Sequence, residues 1–168
     1  QQSDAASAPI RPRQSLVNIV KNQQTYWIAL YAFSAWAPVA LFAELWGVPY
    51  LMQVHGLERT VAASLTATIL AGWGFGAFLS GWMSDRIGAR RKPVVFGLVV
   101  ALISLTTVIY GPKLPVLALG GLLLVAGLGS GVVVLSYAMA GDLSIAATRG
   151  AAYAFANMLM ILSGAIFQ

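Results

Sequence analysis

The stretch GWMSDRIGARRKP, Gly81 to Pro93, holds one acidic and four basic residues between two long apolar runs. The chain around it has 168 residues, of which 59% are hydrophobic and only 9% are charged. About a quarter of the residues of a soluble domain are usually charged, so this chain has too few charges to cover a water-exposed surface. The charged stretch therefore interrupts a chain whose composition suits an apolar solvent.

Five apolar segments are each long enough to cross a lipid bilayer. A transmembrane helix needs about 20 apolar residues at about 1.5 Å per residue. Within lipid the backbone must satisfy its own hydrogen bonds, which favours helices. We predict an all-α, polytopic membrane helix bundle, with spans at about residues 25–51, 60–84, 93–111, 114–140 and 150–168.

The first 23 residues differ in composition from the rest of the chain. They contain Pro9, Pro12 and three basic residues but no long apolar core, which is not the pattern of a signal peptide. We predict that residues 1–23 form a cytoplasmic linker. Within it, Ser15–Lys21 is either a short interfacial helix or ordinary linker.

The basic residues fall unequally on the two sides of the predicted spans. Eight of the ten Lys and Arg residues lie on one side, and only Arg59 and Lys113 lie on the other. Basic loops stay preferentially in the cytoplasm. We therefore expect a multi-pass protein of the cytoplasmic (inner) membrane with its N-terminal segment and the charged stretch in the cytoplasm. The same asymmetry explains the net charge of +5 without a nucleic-acid partner.

The order of residues in the charged stretch closely resembles a signature of the major facilitator superfamily, G-x-x-x-D-R-x-G-R-[RK]-[RK]. In that family the signature lies between the second and third helices of each six-helix half. Ala89 departs from it, since it stands where the first basic residue after the glycine is expected. The matching residues are Gly81, Asp85, Arg86, Gly88, Arg90 and Arg91.

The resemblance covers residues 24–168 and implies five helices of a six-helix half. The fourth span lacks the Arg that is common in the first half, so we expect the second half, with the first half as the alternative. The implied function is secondary active transport of a small solute by alternating access, coupled to a proton or ion gradient. The expected partners are the solute, membrane lipid, and the other six-helix half or a second subunit. A non-transport membrane module, such as a scaffold, receptor or assembly subunit, is the alternative.

The resemblance also implies a role for Asp85. In this family the loop acid is thought to contact the cytoplasmic end of a helix in the opposite half and to hold the cytoplasmic gate closed. A carboxylate suits such a contact because a helix N-terminus carries unsatisfied N–H groups and a positive dipole end. The alternative is a local ion pair with Arg86, Arg90 or Arg91 that only shapes the turn.

Candidate solute and proton residues lie within the spans. Glu44 is the only ionisable residue inside a predicted span, which makes it a functional candidate. The alternative is an outer-end acid that reaches water or pairs with Arg59 or His55. Helix–helix bonding is the alternative for the polar and aromatic candidates, although the resemblance places the first and fourth helices along the cavity. These candidates are Tyr31, Ser34, Trp36, Tyr137 and Asn157.

Small residues in the second and fourth spans predict close helix packing. Gly72, Gly76 and Ser80 recur every four residues, as do Ala77 with Gly81 and Gly127 with Gly131. Such spacing lets helix backbones approach closely. In the first span, Pro38 and the segment Trp46–Pro49 predict an interruption or kink.

No pattern in the sequence favours an enzyme. The chain has one His and no Cys, which argues against a metal site, and no Ser, His and acid set stands out. GLGSG at Gly127–Gly131 lies inside an apolar span and is better explained by packing than by a nucleotide loop. We expect no catalytic residue, metal or cofactor.

Overall fold

A computed structural model describes residues 23–144 and 148–167. Within these residues the chain folds into five long helices without a strand, the all-α bundle that the apolar segments predicted. Four of them, α1 to α4, are long and apolar enough to cross a membrane. The predicted linker lies outside the described residues except for Gln23, which begins α1. The helices are α1 (Gln23–His55), α2 (Arg59–Ile87), α3 (Arg91–Tyr110), α4 (Val116–Asp142) and α5 (Arg149–Phe167).

The first helix, α1, changes its winding twice. It is α-helical over Gln23–Pro38, π-helical over Val39–Trp46 and α-helical again over Gly47–His55. Pro38 has no N–H to donate, and the i→i+5 bonding of the π segment begins immediately after it. The helix therefore changes its hydrogen-bonding pattern where the sequence predicted an interruption or kink, and it continues to His55. Gly56 ends it in the left-handed conformation, with φ 67°.

The second helix runs three residues beyond its expected end at position 84. Gly88 ends it, with φ 66° and an N–H that donates to the carbonyl of Ser84 at 3.0 Å. Glycine adopts this left-handed conformation without the steric cost that a Cβ adds. Because α3 begins at Arg91, the signature comprises the end of α2, a short turn and the first residue of α3.

The backbones of α2 and α4 come into direct contact at four glycines, with apolar side chains packed beside them. A Cβ added to Gly76 would lie 2.2 Å from the carbonyl oxygen of Leu128, and one added to Gly127 would lie 2.1 Å from that of Ile69. Gly72 and Gly131 meet the facing backbone in the same way. We call these four glycines the glycine seam.

Gly81 does not belong to this seam, although its spacing from Ala77 suggested packing. An added Cβ there would meet nothing within 4 Å. Helical spacing identifies residues that share a face, but it does not tell which face another helix covers.

The remaining helices pack around the α2–α4 pair. α3 lies against α4 at Gly97 and Gly129, and α1 lies against α5 and the last turns of α4. The largest buried apolar cluster surrounds Leu51, Leu65 and Leu119. The start of α1, the α2–α3 turn and the end of α4 lie together at the other end of the bundle. We call it the basic end, because the basic residues of the signature lie there.

Candidate functional site

At the basic end, an ion pair joins the α2–α3 turn to the end of α4. The guanidinium of Arg90 donates from Nε to Oδ2 of Asp142 at 2.6 Å and from Nη2 to Oδ1 at 3.2 Å. Two parallel bonds of this kind fix the orientation of both groups. The pair also lines a pocket of about 370 Å³ together with Gln24, Trp27, Ile28, Met139 and Leu143.

Asp85 takes no part in this ion pair. Its side chain is exposed, and it makes no hydrogen bond or ion pair with another residue in the described part of the chain. Arg90 is held by Asp142, and the guanidinium of Arg86 lies over the ring of Trp82, 5.2 Å from its centroid. The local ion pair that would make Asp85 a turn-shaping residue is therefore not formed.

In the middle of the bundle, Tyr31 connects α1 to α4. Its hydroxyl donates to the carbonyl oxygen of Val132. Val132 lies in a 3-10 segment, Gly131–Val134, which interrupts the α-helical winding of α4. The same carbonyl accepts the backbone N–H of Leu135, so Tyr31 uses the second lone pair of an oxygen that is already bonded.

Two tryptophans meet beside this contact. The rings of Trp36 on α1 and Trp73 on α2 lie 5.5 Å apart at 77°, an edge-to-face arrangement. The indole Nε1 of Trp73 is buried without an acceptor in the structure. Tyr31, Trp36 and Trp73 pack around a small buried group, Ala32, Ala35 and Val133.

Trp73 was not among the residues singled out from the sequence. A signal for it exists, because Trp73 stands between Gly72 and Gly74 in the middle of a span. Tryptophan in membrane proteins is otherwise enriched at the interfaces. A mid-span tryptophan flanked by glycines is therefore a candidate for a specific contact.

Nearer the basic end, Tyr137 and Asn157 join α4 to α5. The hydroxyl of Tyr137 donates to Oδ1 of Asn157 at 2.8 Å. The ring of Tyr153 lies edge-on to that of Tyr137, with centroids 6.4 Å apart. Tyr153 and Asn157, four residues apart on α5, thus contact the same partner on α4.

Ser34 and Glu44 lie apart from these contacts. Ser34 is exposed on α1, whereas Tyr31 is partly buried against α4. Glu44 is exposed on the π segment and lines a cavity of about 560 Å³ together with Gln53 and Arg59. It forms no ion pair with Arg59. π-helical turns within α-helices occur frequently at functional sites.

The arrangement gives four groups along the bundle. They are the Asp85 turn with the Arg90–Asp142 pair, the Tyr137–Asn157 contact, the central Tyr31, Trp36 and Trp73, and Glu44 at the opposite end. Among the described residues no group of His, Asp and Glu side chains could hold a metal ion. The chemistry available is hydrogen bonding, aromatic contact and a few isolated charges.

A scan of the sequence against protein-family models matches the Major Facilitator Superfamily over residues 2–168. No curated protein and no solved structure matches the chain significantly.

Proposed function

The chain belongs to the Major Facilitator Superfamily, a family of membrane transporters, and from this premise we propose that it is the second half of a secondary transporter. The carrier moves a small solute across the cytoplasmic (inner) membrane by alternating access and uses a proton or ion gradient. The observation that carries the proposal is the family match over residues 2–168. Helices apolar enough to span a membrane agree with it.

Alternating access requires a half that moves as one body. Carriers built from repeats work largely by rocking one repeat against the other around a central site. The glycine seam supports such a body, because its backbones are in direct contact and leave no room for one helix to slide on the other.

The central face of the bundle is the proposed solute surface. Tyr31 and Trp36 line it from α1, beside Trp73 on α2. Tyr137 and Asn157 extend the surface toward the basic end.

Asp85 is the proposed contact to the cytoplasmic gate. Its exposure and its lack of a local partner leave the carboxylate available to a helix end of the opposite half. The N-terminal segment and the basic end then face the cytoplasm, as the distribution of basic residues favours.

Transport measured with the Asp85→Asn variant tests the gate contact. A thermal-shift screen of metabolites on the full carrier first identifies a solute. We then expect uptake into proteoliposomes to fall at least tenfold, because the amide cannot supply the charge that a helix N-terminus stabilises. Glu58→Gln is the matched control, since Glu58 is an exposed loop acid at the opposite end of α2. Equal uptake by Asp85→Asn and wild type, at equal membrane insertion, would remove the gate role.

Glu44 is the proposed coupling acid. Its place on the π segment and its unpaired carboxylate in an open cavity support this role. We expect Glu44→Gln to abolish accumulation driven by a pH gradient while solute exchange at equal concentrations continues. Accumulation that survives in Glu44→Gln would assign coupling to another residue or ion and leave transport itself unaffected.

A further inference from the structure

An apolar groove opens between α2 and α3, with α4 as its floor. Its volume is about 210 Å³. Gly76 and Gly97 let α2 and α3 approach the backbone of α4, and both glycines line the groove. Large apolar side chains form its walls, and several of them are exposed, including Leu79 at 50% and Phe96 at 64%. The main lining residues are Leu79, Met83, Phe96, Val100, Val125 and Leu128.

Two basic residues stand at the end of this groove. Arg91 and Lys92 are the first residues of α3, and Pro93, the next residue, lines the groove itself. Both side chains are exposed, and neither makes an ion pair with the described residues. Their neighbours are already engaged, Arg90 by Asp142 and Arg86 by the ring of Trp82.

We propose that this groove holds a segment of one acyl chain of an anionic phospholipid, whose phosphate binds Arg91 and Lys92. The groove takes an apolar chain, and the two unpaired cations at its end take an anion. Such a lipid joins the two features in one molecule. A zwitterionic lipid fits less well because its headgroup brings a cation of its own. Basic pockets between helices on the cytoplasmic side are suited to such headgroups. The inference rests on membrane insertion and is independent of transport.

The charged part of the site is tested on the full carrier by native mass spectrometry. The purified protein is titrated with dioleoylphosphatidylglycerol or with dioleoylphosphatidylcholine. We expect Arg91→Gln combined with Lys92→Gln to weaken retention of the phosphatidylglycerol about tenfold to thirtyfold, the effect of removing two interfacial charges. Retention of the phosphatidylcholine should not change. The matched control, Arg59→Gln combined with Lys113→Gln, removes two exposed charges at the opposite end of the bundle.

The apolar part is tested by filling the groove. Val100→Trp places a large side chain in the groove, and Val99→Trp places it on the adjacent exposed position, which does not line the groove. We expect Val100→Trp to reduce retention of the phosphatidylglycerol and Val99→Trp to leave it unchanged. Thermal unfolding of each variant shows whether the protein has kept its fold.

Three results would overturn the proposal. The first is unchanged retention of the phosphatidylglycerol in the Arg91 and Lys92 variant. The second is an equal loss in the Arg59 and Lys113 control, which indicates a general effect of net charge. The third is a folded Val100→Trp variant that retains the lipid as well as Val99→Trp does, because the headgroup would then bind without a chain in the groove.

Discussion

The two ends of α4 contact their neighbours by opposite means. Its first part, Val116–Ser130 together with Gly131, packs its backbone directly on that of α2 at the glycine seam. Its last part, Leu135–Asp142, meets α5 and the α2–α3 turn through side chains, by the Tyr137–Asn157 hydrogen bond and the Arg90–Asp142 ion pair. The 3-10 segment Gly131–Val134 begins at the last glycine of the seam and leads into the last part.

The difference shows how one helix can be fixed at one end and adjustable at the other. At the seam, every glycine faces a backbone atom closer than a side chain would permit. A shift along the helix would bring larger residues into the same space. A contact made by side-chain rotamers and polar groups can break and form again at modest cost. The seam therefore suits a rigid body, and the last turns of α4 suit the part that responds to a gate.

The largest effect is expected from breaking the seam with Gly76→Ala. The added Cβ would lie 2.2 Å from the carbonyl oxygen of Leu128, so the two helices must separate. We expect a loss of about 3 kcal/mol or more, or failure to fold, as for severe overpacking. Thermal or denaturant unfolding in detergent measures it.

Gly74→Ala is the matched control for this substitution. It lies on the same helix two residues away, and its Cβ would meet nothing within 4 Å. Alanine has the higher helix propensity, so this variant should be as stable as wild type or more stable. Equal unfolding of the two variants would contradict the assignment of the seam as a rigid contact.

A smaller effect is expected at the adjustable end from Tyr137→Phe. This change removes the donor to Asn157 Oδ1 and retains the ring that packs on Tyr153. Hydrogen bonds between membrane helices contribute about 0.6 to 1 kcal/mol, and unfolding should detect a loss of that size. Tyr153→Phe serves as the control, because its hydroxyl makes no hydrogen bond in the described structure. A larger loss of stability from Tyr153→Phe than from Tyr137→Phe would contradict the assignment of this hydrogen bond to Tyr137.

The smallest effect on stability is expected from the Arg90–Asp142 pair. The two side chains are 33% and 58% exposed, so solvent screens their attraction. A double-mutant cycle with Arg90→Gln and Asp142→Asn should give a coupling of about 0.5 kcal/mol that falls with added salt. A coupling above about 2 kcal/mol at high salt would mean that the pair acts as a fixed part of the body.

Much of this arrangement could be predicted from sequence because it depends on local rules. Long apolar runs predict the helices, Gly88 ends α2 by its backbone freedom, and the four-residue spacing of Gly72 and Gly76 predicts close packing. Each of these rules acts within a few residues of the chain, where hydropathy and spacing carry the information.

The remaining features depend on contacts between residues far apart in sequence. Asp142 lies 52 residues from Arg90, and Val132 lies 101 residues from Tyr31. No spacing rule relates such positions. The π winding after Pro38 is of the same kind, since a proline predicts a missing hydrogen bond without fixing how the helix accommodates it. The burial of the Trp73 indole likewise becomes apparent only when α1 and α2 are packed against each other.

The 3-10 segment Gly131–Val134 determines the direction in which the side chains that follow it in α4 point. A 3-10 helix advances about 2.0 Å and turns about 120° per residue, whereas an α-helix advances about 1.5 Å and turns about 100°. Rewinding this one segment to α geometry would shorten α4 by about 2 Å and swivel its last turns by about 80°. The side chains of Tyr137 and Asp142 would then change direction together, while Gly127, which precedes the segment, stayed in place.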